Sequence, residues 1–191
     1  MEKRSLSNKT VKDEKFLNAL AEAFRLQEAI LNTTELGILS VTPAGIITSF
    51  NRASETLLGY QADDLIGKSS MLIFHDLDEI IKRSQKLSEE LKLPIEPSFE
   101  VFSVKPRLQK ITCREEWTFI RKDNVRFPAL LSVSALRDEH ETITGYIGII
   151  TDLSDIKRSD ERARASEQKF RLLAENIPGA IYLCQHDEPY S

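Results

Sequence analysis

The stretch Glu115-Glu-Trp-Thr-Phe-Ile-Arg-Lys-Asp-Asn-Val-Arg-Phe-Pro-Ala-Leu-Leu-Ser-Val-Ser-Ala-Leu-Arg137, continued through Gly145-Tyr-Ile-Gly-Ile-Ile-Thr-Asp-Leu-Ser-Asp-Ile-Lys-Arg158, decides the fold. Short β-branched and aromatic runs are separated by two polar clusters, Arg-Lys-Asp-Asn and Arg-Asp-Glu-His-Glu-Thr, which predicts three strands joined by two turns. The last strand runs straight into a helical pattern. A sheet that feeds directly into a helix can pass a change of shape along it.

Working outward towards the N-terminus, strands are predicted from about Leu36 to Val41 and from Ile46 to Phe50, joined at Thr42-Pro-Ala-Gly45, where proline and glycine meet the backbone demands of a tight turn. Asn51 is placed to cap a short helix that carries Ala53, Leu57 and Leu58 inward and ends at Gly59. Asp63 or Asp64 opens another turn, closed by Gly67. From Met71 to about Leu93 the residues Leu72, Ile73, Phe74, Leu77, Ile80, Ile81, Leu87 and Leu91 recur among charged ones, which predicts one long amphipathic helix stopped by Leu93-Pro-Ile-Glu-Pro97. A shorter helical piece with Phe99, Val101, Phe102 and Val104 follows, ended by Lys105-Pro106, and the chain to Lys110 reads as a surface loop.

Two helices flank this region. Between Thr10 and Leu31, Phe16, Leu20, Ala23, Phe24, Ile30 and Leu31 fall at helical spacing, with Thr10 as N-cap and Asp13 and Glu14 at the positive end. Beyond Asp152, Ile156, Ala163, Phe170 and Ile177 recur every seven residues, while the companion seam positions are Ser159, Ser166 and Leu173. A helix from Asp155 to Asn176 would span about 33 Å, long enough to pair with a partner.

The order of these features resembles a PAS domain, a small sensory module common in bacterial signalling proteins. The C-terminal half carries Glu116-Trp117, the Arg-Lys-Asp-Asn hairpin where the family commonly has Arg-Lys-Asp-Gly, Phe127-Pro128, Gly145-Tyr-Ile-Gly148, and Asp152-Leu153-Ser154 in place of Asp-Ile-Thr. In the N-terminal half the matching residues run from Gly37 to Tyr60 and then Leu65-Ile-Gly67, so that the resemblance covers roughly residues 33 to 158. It implies an α+β fold, a five-stranded antiparallel sheet with helices on one face, framed by the N-terminal amphipathic helix and a C-terminal signalling helix. The organisation expected is a lead-in and helix over 1–32, a PAS domain over 33–154, a coiled-coil-like helix over 155–176, and over 177–191 the start of a truncated second PAS domain. That last element rests on Asn176-Ile-Pro-Gly179 and on the parallel between Ala174–Leu183 and Leu31–Ser40.

The resemblance also implies a function: the regulatory part of a larger enzyme such as a sensor histidine kinase or diguanylate cyclase, binding a small ligand or partner and relaying a signal through a dimeric exit helix. Asp152, Ser154, Ile156, Ala163 and Phe170 are the expected relay residues, with Asp152 accepting bonds from the amides at the helix start. A cavity between the inner sheet face and the helices would be lined by Ile73, Phe74, Ile80, Phe99, Phe102, Trp117, Phe119 and Leu131; the plain alternative for such a cluster is core. A ligand-free dimerisation or spacer module is the rival function. The cofactor is left unknown. A cysteine-adduct flavin would need a reactive cysteine near Lys68-Ser-Ser-Met71, and haem a histidine between Pro97 and Lys105, and neither is there.

Composition agrees with these readings. The chain's 191 residues are 41% hydrophobic and 29% charged with net charge −4, which suits a globular protein and provides no basic field for nucleic acid. No apolar run reaches membrane-spanning length and the N-terminus lacks a secretion signal, so a cytoplasmic chain is expected; the resemblance implies a homodimer joined by the N-terminal and exit helices. Phosphate-binding glycine loops, nucleophile elbows and His-Glu-x-x-His helices are missing, so catalytic residues and metal ligands are expected to be none. Cys113 and Cys184 show no metal spacing and read as reduced thiols. His75, beside Asp76 and Asp78, reads as a solvated or hydrogen-bonded surface group, with ligand contact as the alternative; His140 and His186 fall in a turn and a tail.

Overall fold

The computed structural model of the chain describes residues 34–176, with residues 17–18, 21–23, 25–26 and 29–31 before them, and side chains as far as residue 172. The second-domain start expected after Ile177, and Thr10, Phe16, Leu20 and Phe24, lie outside the described residues. The chain divides into two units, 1–152 and 153–191.

In the first unit, alternation of apolar and polar residues builds five strands: β1 (Gly37–Val41), β2 (Ile47–Phe50), β3 (Cys113–Ile120), β4 (Arg126–Arg137) and β5 (Ile143–Asp152). They form one antiparallel sheet in the order β2-β1-β5-β4-β3. The register sets Leu39 opposite Gly148, Val41 opposite Tyr146, Leu131 opposite Ile150 and Trp117 opposite Ala129, so one face is buried throughout. Turn chemistry fixes this register. Asn124, standing where glycine is common, takes φ 65° and closes the β3–β4 turn by donating to Arg121 O at 2.9 Å. Gly145 is required for another reason: a Cβ there would sit 2.5 Å from the carbonyl oxygen of Val41 on the neighbouring strand.

Helices cover the buried face. α1 (Arg52–Leu58) is capped by Asn51, whose Oδ1 accepts from Ser54 N, and ends at Gly59 with φ 77°. Asn51 does more than cap: Oδ1 also accepts from Ile38 N at 2.8 Å, and Nδ2 donates to Leu31 O and Leu36 O, tying the end of the N-terminal helix to β1. After α2 (Ala62–Leu65) comes a 3₁₀ turn (Met71–Phe74), then α3 (Leu77–Leu91) and α4 (Glu100–Gln109).

Two expectations are corrected here. The long helix from Met71 to Leu93 is broken: the 3₁₀ turn ends at His75, whose backbone bridges Phe119, and Asp76 starts α3 afresh by accepting from the amides of Asp78 and Glu79. An apolar run can continue across such a break because both pieces bury one side. Pro106 does not end the second helix either. It lies inside α4 with its ring fully buried, bordering one groove with Ser134 and Ala135 of β4, and burial there offsets the hydrogen bond that a proline cannot give.

In the second unit, α5 (Ser154–Asn176) begins one residue after β5 ends. Among the described residues no helix is long and apolar enough to cross a membrane.

Candidate functional site

Four rings meet where the 3₁₀ turn, α4 and β3 converge. The imidazole of His75 lies 4.6 Å from Phe102, 5.3 Å from Trp117 and 4.4 Å from Phe119, centroid to centroid, and Phe102 lies 4.5 Å from Trp117. The imidazole, the Phe102 phenyl and the indole therefore pack as a triangle, each ring touching the other two. A second pair, Phe99 with Tyr146 at 5.4 Å, continues the cluster towards β5. Edge and tilted contacts of this kind add to area burial.

Local chemistry explains why a histidine is found inside. Ser70 caps the 3₁₀ turn through Leu72 N, and the amide of His75 closes the turn on Leu72 O at 3.0 Å. Asp76 must face outward to cap α3 and to pair with Arg126, so its predecessor, in extended backbone, points to the other side. His75 is 6% exposed, and both ring nitrogens are buried without a hydrogen-bond partner. This overturns the surface reading of that residue. Burial first, and then the positive charge of Arg83, lower its pKa from 6.5 to about 3, so the ring is neutral at physiological pH. A buried, unpaired imidazole nitrogen costs about 1–3 kcal/mol.

Arg83 of α3 holds the outer wall. Its guanidinium lies 4.2 Å from the Trp117 ring centroid, pairs with Glu79 at 3.2 Å and Glu115 at 2.7 Å, and donates to Glu116 O. Glu79 in turn accepts from Thr118 N at 3.0 Å, so a charged network pins α3 to β3. Across α4 lies a groove of about 440 Å³ lined by Pro43, Leu72, Phe99, Ser103, Arg107 and Tyr146, among others. Gly45 borders Phe99 so closely, at φ 83°, that a Cβ would lie 2.5 Å from the phenyl ring.

Of the pocket residues expected from sequence, Phe74, Ile80, Phe99, Phe102, Trp117, Phe119 and Leu131 are all buried in one core cluster. Ile73 is not: it is 41% exposed on the 3₁₀ turn. Among the relay residues, Asp152 forms an ion pair with Arg121 of the β3–β4 turn at 3.2 Å, Ser154 starts α5, and Ile156, Ala163 and Phe170 are exposed. Sequence reasoning favoured the surface for His75, with ligand contact only as the alternative, and missed Arg83. The signal was Asp76: a cap there requires a break before it, and the break turns His75 inward. Cys113 is half-buried, and burial and then the nearby Glu115 carboxylate push its thiol pKa up, the opposite of activation.

Comparison with known proteins follows the same outline. A PAS domain of a protein from Colwellia psychrerythraea is 18% identical with a TM-score of 0.52, covering 70% of this chain and 98% of that one. The PAS domain of an HTR-like protein from Haloarcula marismortui is 17% identical with a TM-score of 0.51, covering 73% and 98%. An RNA-binding light-oxygen-voltage receptor is 14% identical with a TM-score of 0.56, covering 75% of this chain and 37% of that one. At these identities the likeness is one of fold. Among curated proteins nothing matches the chain. The family model for the PAS domain matches residues 35–155, the five strands and the helices that cover them, and by that match this chain belongs to the PAS domain family.

Proposed function

We propose that this chain is a sensory or regulatory PAS module that binds a small ligand or partner and relays a conformational signal through a dimeric exit helix to an output domain. The observation that carries the reading is the junction of β5 with α5: one residue, Leu153, separates them, and the helix bears exposed Ile156 (59%) and Phe170 (63%) fourteen positions apart, two heptads, with Ala163 midway. Exposed apolar residues on one seam of a polar helix are what a parallel partner helix would cover. A ligand that favours one of two sheet arrangements would bias the helix only by its differential affinity for them.

Sedimentation equilibrium tests the dimer. A dimer that Phe170→Glu dissociates supports the reading, and a chain that stays monomeric at every accessible concentration rejects it. The rival reading, a ligand-free spacer, draws support from the mutual packing of Phe102, Trp117 and His75, which fills the inner face with the chain's own rings. Native mass spectrometry separates the two: a retained small-molecule mass favours the sensor, and an apo dimer favours the spacer.

A further inference from the structure

We propose that the open groove along one flank of α4 is a binding site for a small monocarboxylate with an apolar tail, held by Arg107 and Tyr146. This rests on the ligand-binding half of the proposed function and goes beyond it by naming the place and the chemistry.

The groove lies outside the packed interior. It opens on the surface between α4, the β1–β2 turn and the start of β5, encloses about 440 Å³, and is not lined by His75, Trp117, Phe119 or Leu131. Gly45 sets one wall, because without a Cβ it lets the turn that carries Pro43 close on Phe99. On α4, Phe99, Ser103 and Arg107 are four residues apart and share a flank, which runs about 12 Å along the helix axis.

Two polar groups at this flank lack what a carboxylate supplies. Tyr146 is 3% exposed and packs edge-on against Phe99, yet its hydroxyl has no hydrogen-bond partner among the described residues. Nor is that hydroxyl sealed off, since the sealed and unpartnered side-chain atoms among the described residues are the two nitrogens of His75; it reaches the groove that Tyr146 lines. Its O–H is a donor in want of an acceptor. Arg107 is the second group. Its Nη2 pairs with Glu100 Oε1 at 2.8 Å, and its other side-chain N–H groups have no partner among the described residues. Glu100 is occupied on both oxygens, because Oε2 accepts from Glu96 N at 3.4 Å. The guanidinium fork can therefore keep Glu100 and take a second carboxylate on its free edge.

The surrounding charge has the matching sign. At this end of α4 the guanidinium of Arg137 donates to Arg107 O at 3.2 Å and to Glu141 O at 2.9 Å, and Lys110 pairs with Glu141, so Arg107, Arg137 and Lys110 outnumber Glu100 and Glu141. Away from Arg107 the lining is apolar apart from Ser98 and Ser103: Leu72, Phe99 and Ile143 offer nothing to a second charged group. One anionic head and an apolar tail satisfy both ends of the groove.

The test uses the full chain with octanoate and octan-1-ol, which share a tail and differ in the head group. The Tyr146 ring, the Ile143 methyls and the indole of Trp117, the chain's one tryptophan, are followed by NMR. Octanoate is expected to shift Tyr146 and Ile143 while Trp117 stays fixed, and to be preferred over the alcohol by about tenfold. Arg107→Gln should abolish that preference, and Tyr146→Phe should weaken octanoate by about fivefold. Should Tyr146→Phe fail to fold, Arg107→Gln, on a half-exposed side chain, is read alone. Equal affinity for the two probes, a preference that survives Arg107→Gln, or an octanoate affinity unchanged in folded Tyr146→Phe overturns the proposal. So does a wild type in which millimolar octanoate shifts Trp117 in place of Ile143, or shifts neither. A co-purified molecule that leaves Tyr146 and Ile143 unmoved would keep the sensory reading and overturn the groove. A chain that binds octanoate as expected but never dimerises would keep the groove and overturn the relay.

Discussion

α3 and α4 lie side by side over the same sheet, yet they are helices for different reasons. α3 carries its instructions in its own sequence: Asp76 caps two amides, Asp78 and Glu79 follow at the positive end, and Ile80, Ser84 and Leu87 bury one stripe. α4 has no side-chain cap, carries Pro106 in its interior, and buries Val101, Phe102, Ser103, Val104 and Pro106. Glu100 in the first turn, Arg107 in the last and Ser98 Oγ accepting from Glu100 N favour it locally, but Pro106 opposes it and tertiary packing carries it through. The contrast teaches where the energy of each element resides: in α3 it is shared between local and long-range terms, whereas α4 exists because its rings fit among His75, Trp117 and Tyr146.

The sharpest way to break this comparison is to empty the core side of α4. Phe102→Ala removes a ring in contact with Phe99, His75 and Trp117 and is expected to cost about 3–5 kcal/mol in urea unfolding. If α4 depends on packing, its helical signal should be lost before that of α3 in hydrogen exchange of the variant. A loss under about 1 kcal/mol, with α4 protection intact, would mean that the helix stands on its own.

The next effect is one of pH. His75 is neutral when folded, and its pKa falls to about 3 against 6.5 in the unfolded chain. The unfolded state therefore binds the proton more tightly, so the stability conferred by the neutral ring is full above pH 6.5 and is lost as pH falls towards 3. Between pH 7.5 and 5 the loss should be about 2 kcal/mol, approaching ~1.4 kcal/mol per pH unit at the acid end. His75→Phe should remove that slope. A wild type as stable at pH 5 as at pH 7.5 would show that the imidazole finds a partner or water when protonated.

Much of this could be read in the sequence because the deciding signals were local. The three C-terminal strands, the Asn51 cap and the Gly59 stop each follow from residues within a few positions of one another. What could not be read was the direction of a residue at a break. His75 stands next to two aspartates, a surface context, and only the cap at Asp76 reveals that the chain reverses sides there. Likewise no neighbour of Pro106 announces that it will be buried at a groove shared with Ser134 and Ala135, nearly thirty positions later. Asp76→Ala probes the legible half of the comparison. The variant loses the cap on Asp78 N and Glu79 N and the pairing with Arg126, and its Tm should fall by about 2–5 °C. If the local cap also orients His75, the imidazole signal of the variant should shift; an unmoved signal would assign that orientation to the bridge with Phe119 instead.

The smallest effect is expected where two larger ones oppose. Pro106→Ala restores an N–H for the Phe102 carbonyl and removes an interior proline, a change worth up to ~3 kcal/mol in an isolated helix. Against it stand the lost burial of the ring's methylenes, about 0.8 kcal/mol each, the small void left beside Ser134 and Ala135, and the greater freedom of the unfolded chain. The terms nearly cancel, so the unfolding free energy should change by no more than about 1 kcal/mol. The sign is informative even when the size is not. A gain would mean that α4 keeps proline at a cost in stability. A loss beyond about 2 kcal/mol would mean that the pyrrolidine ring anchors α4 to the sheet.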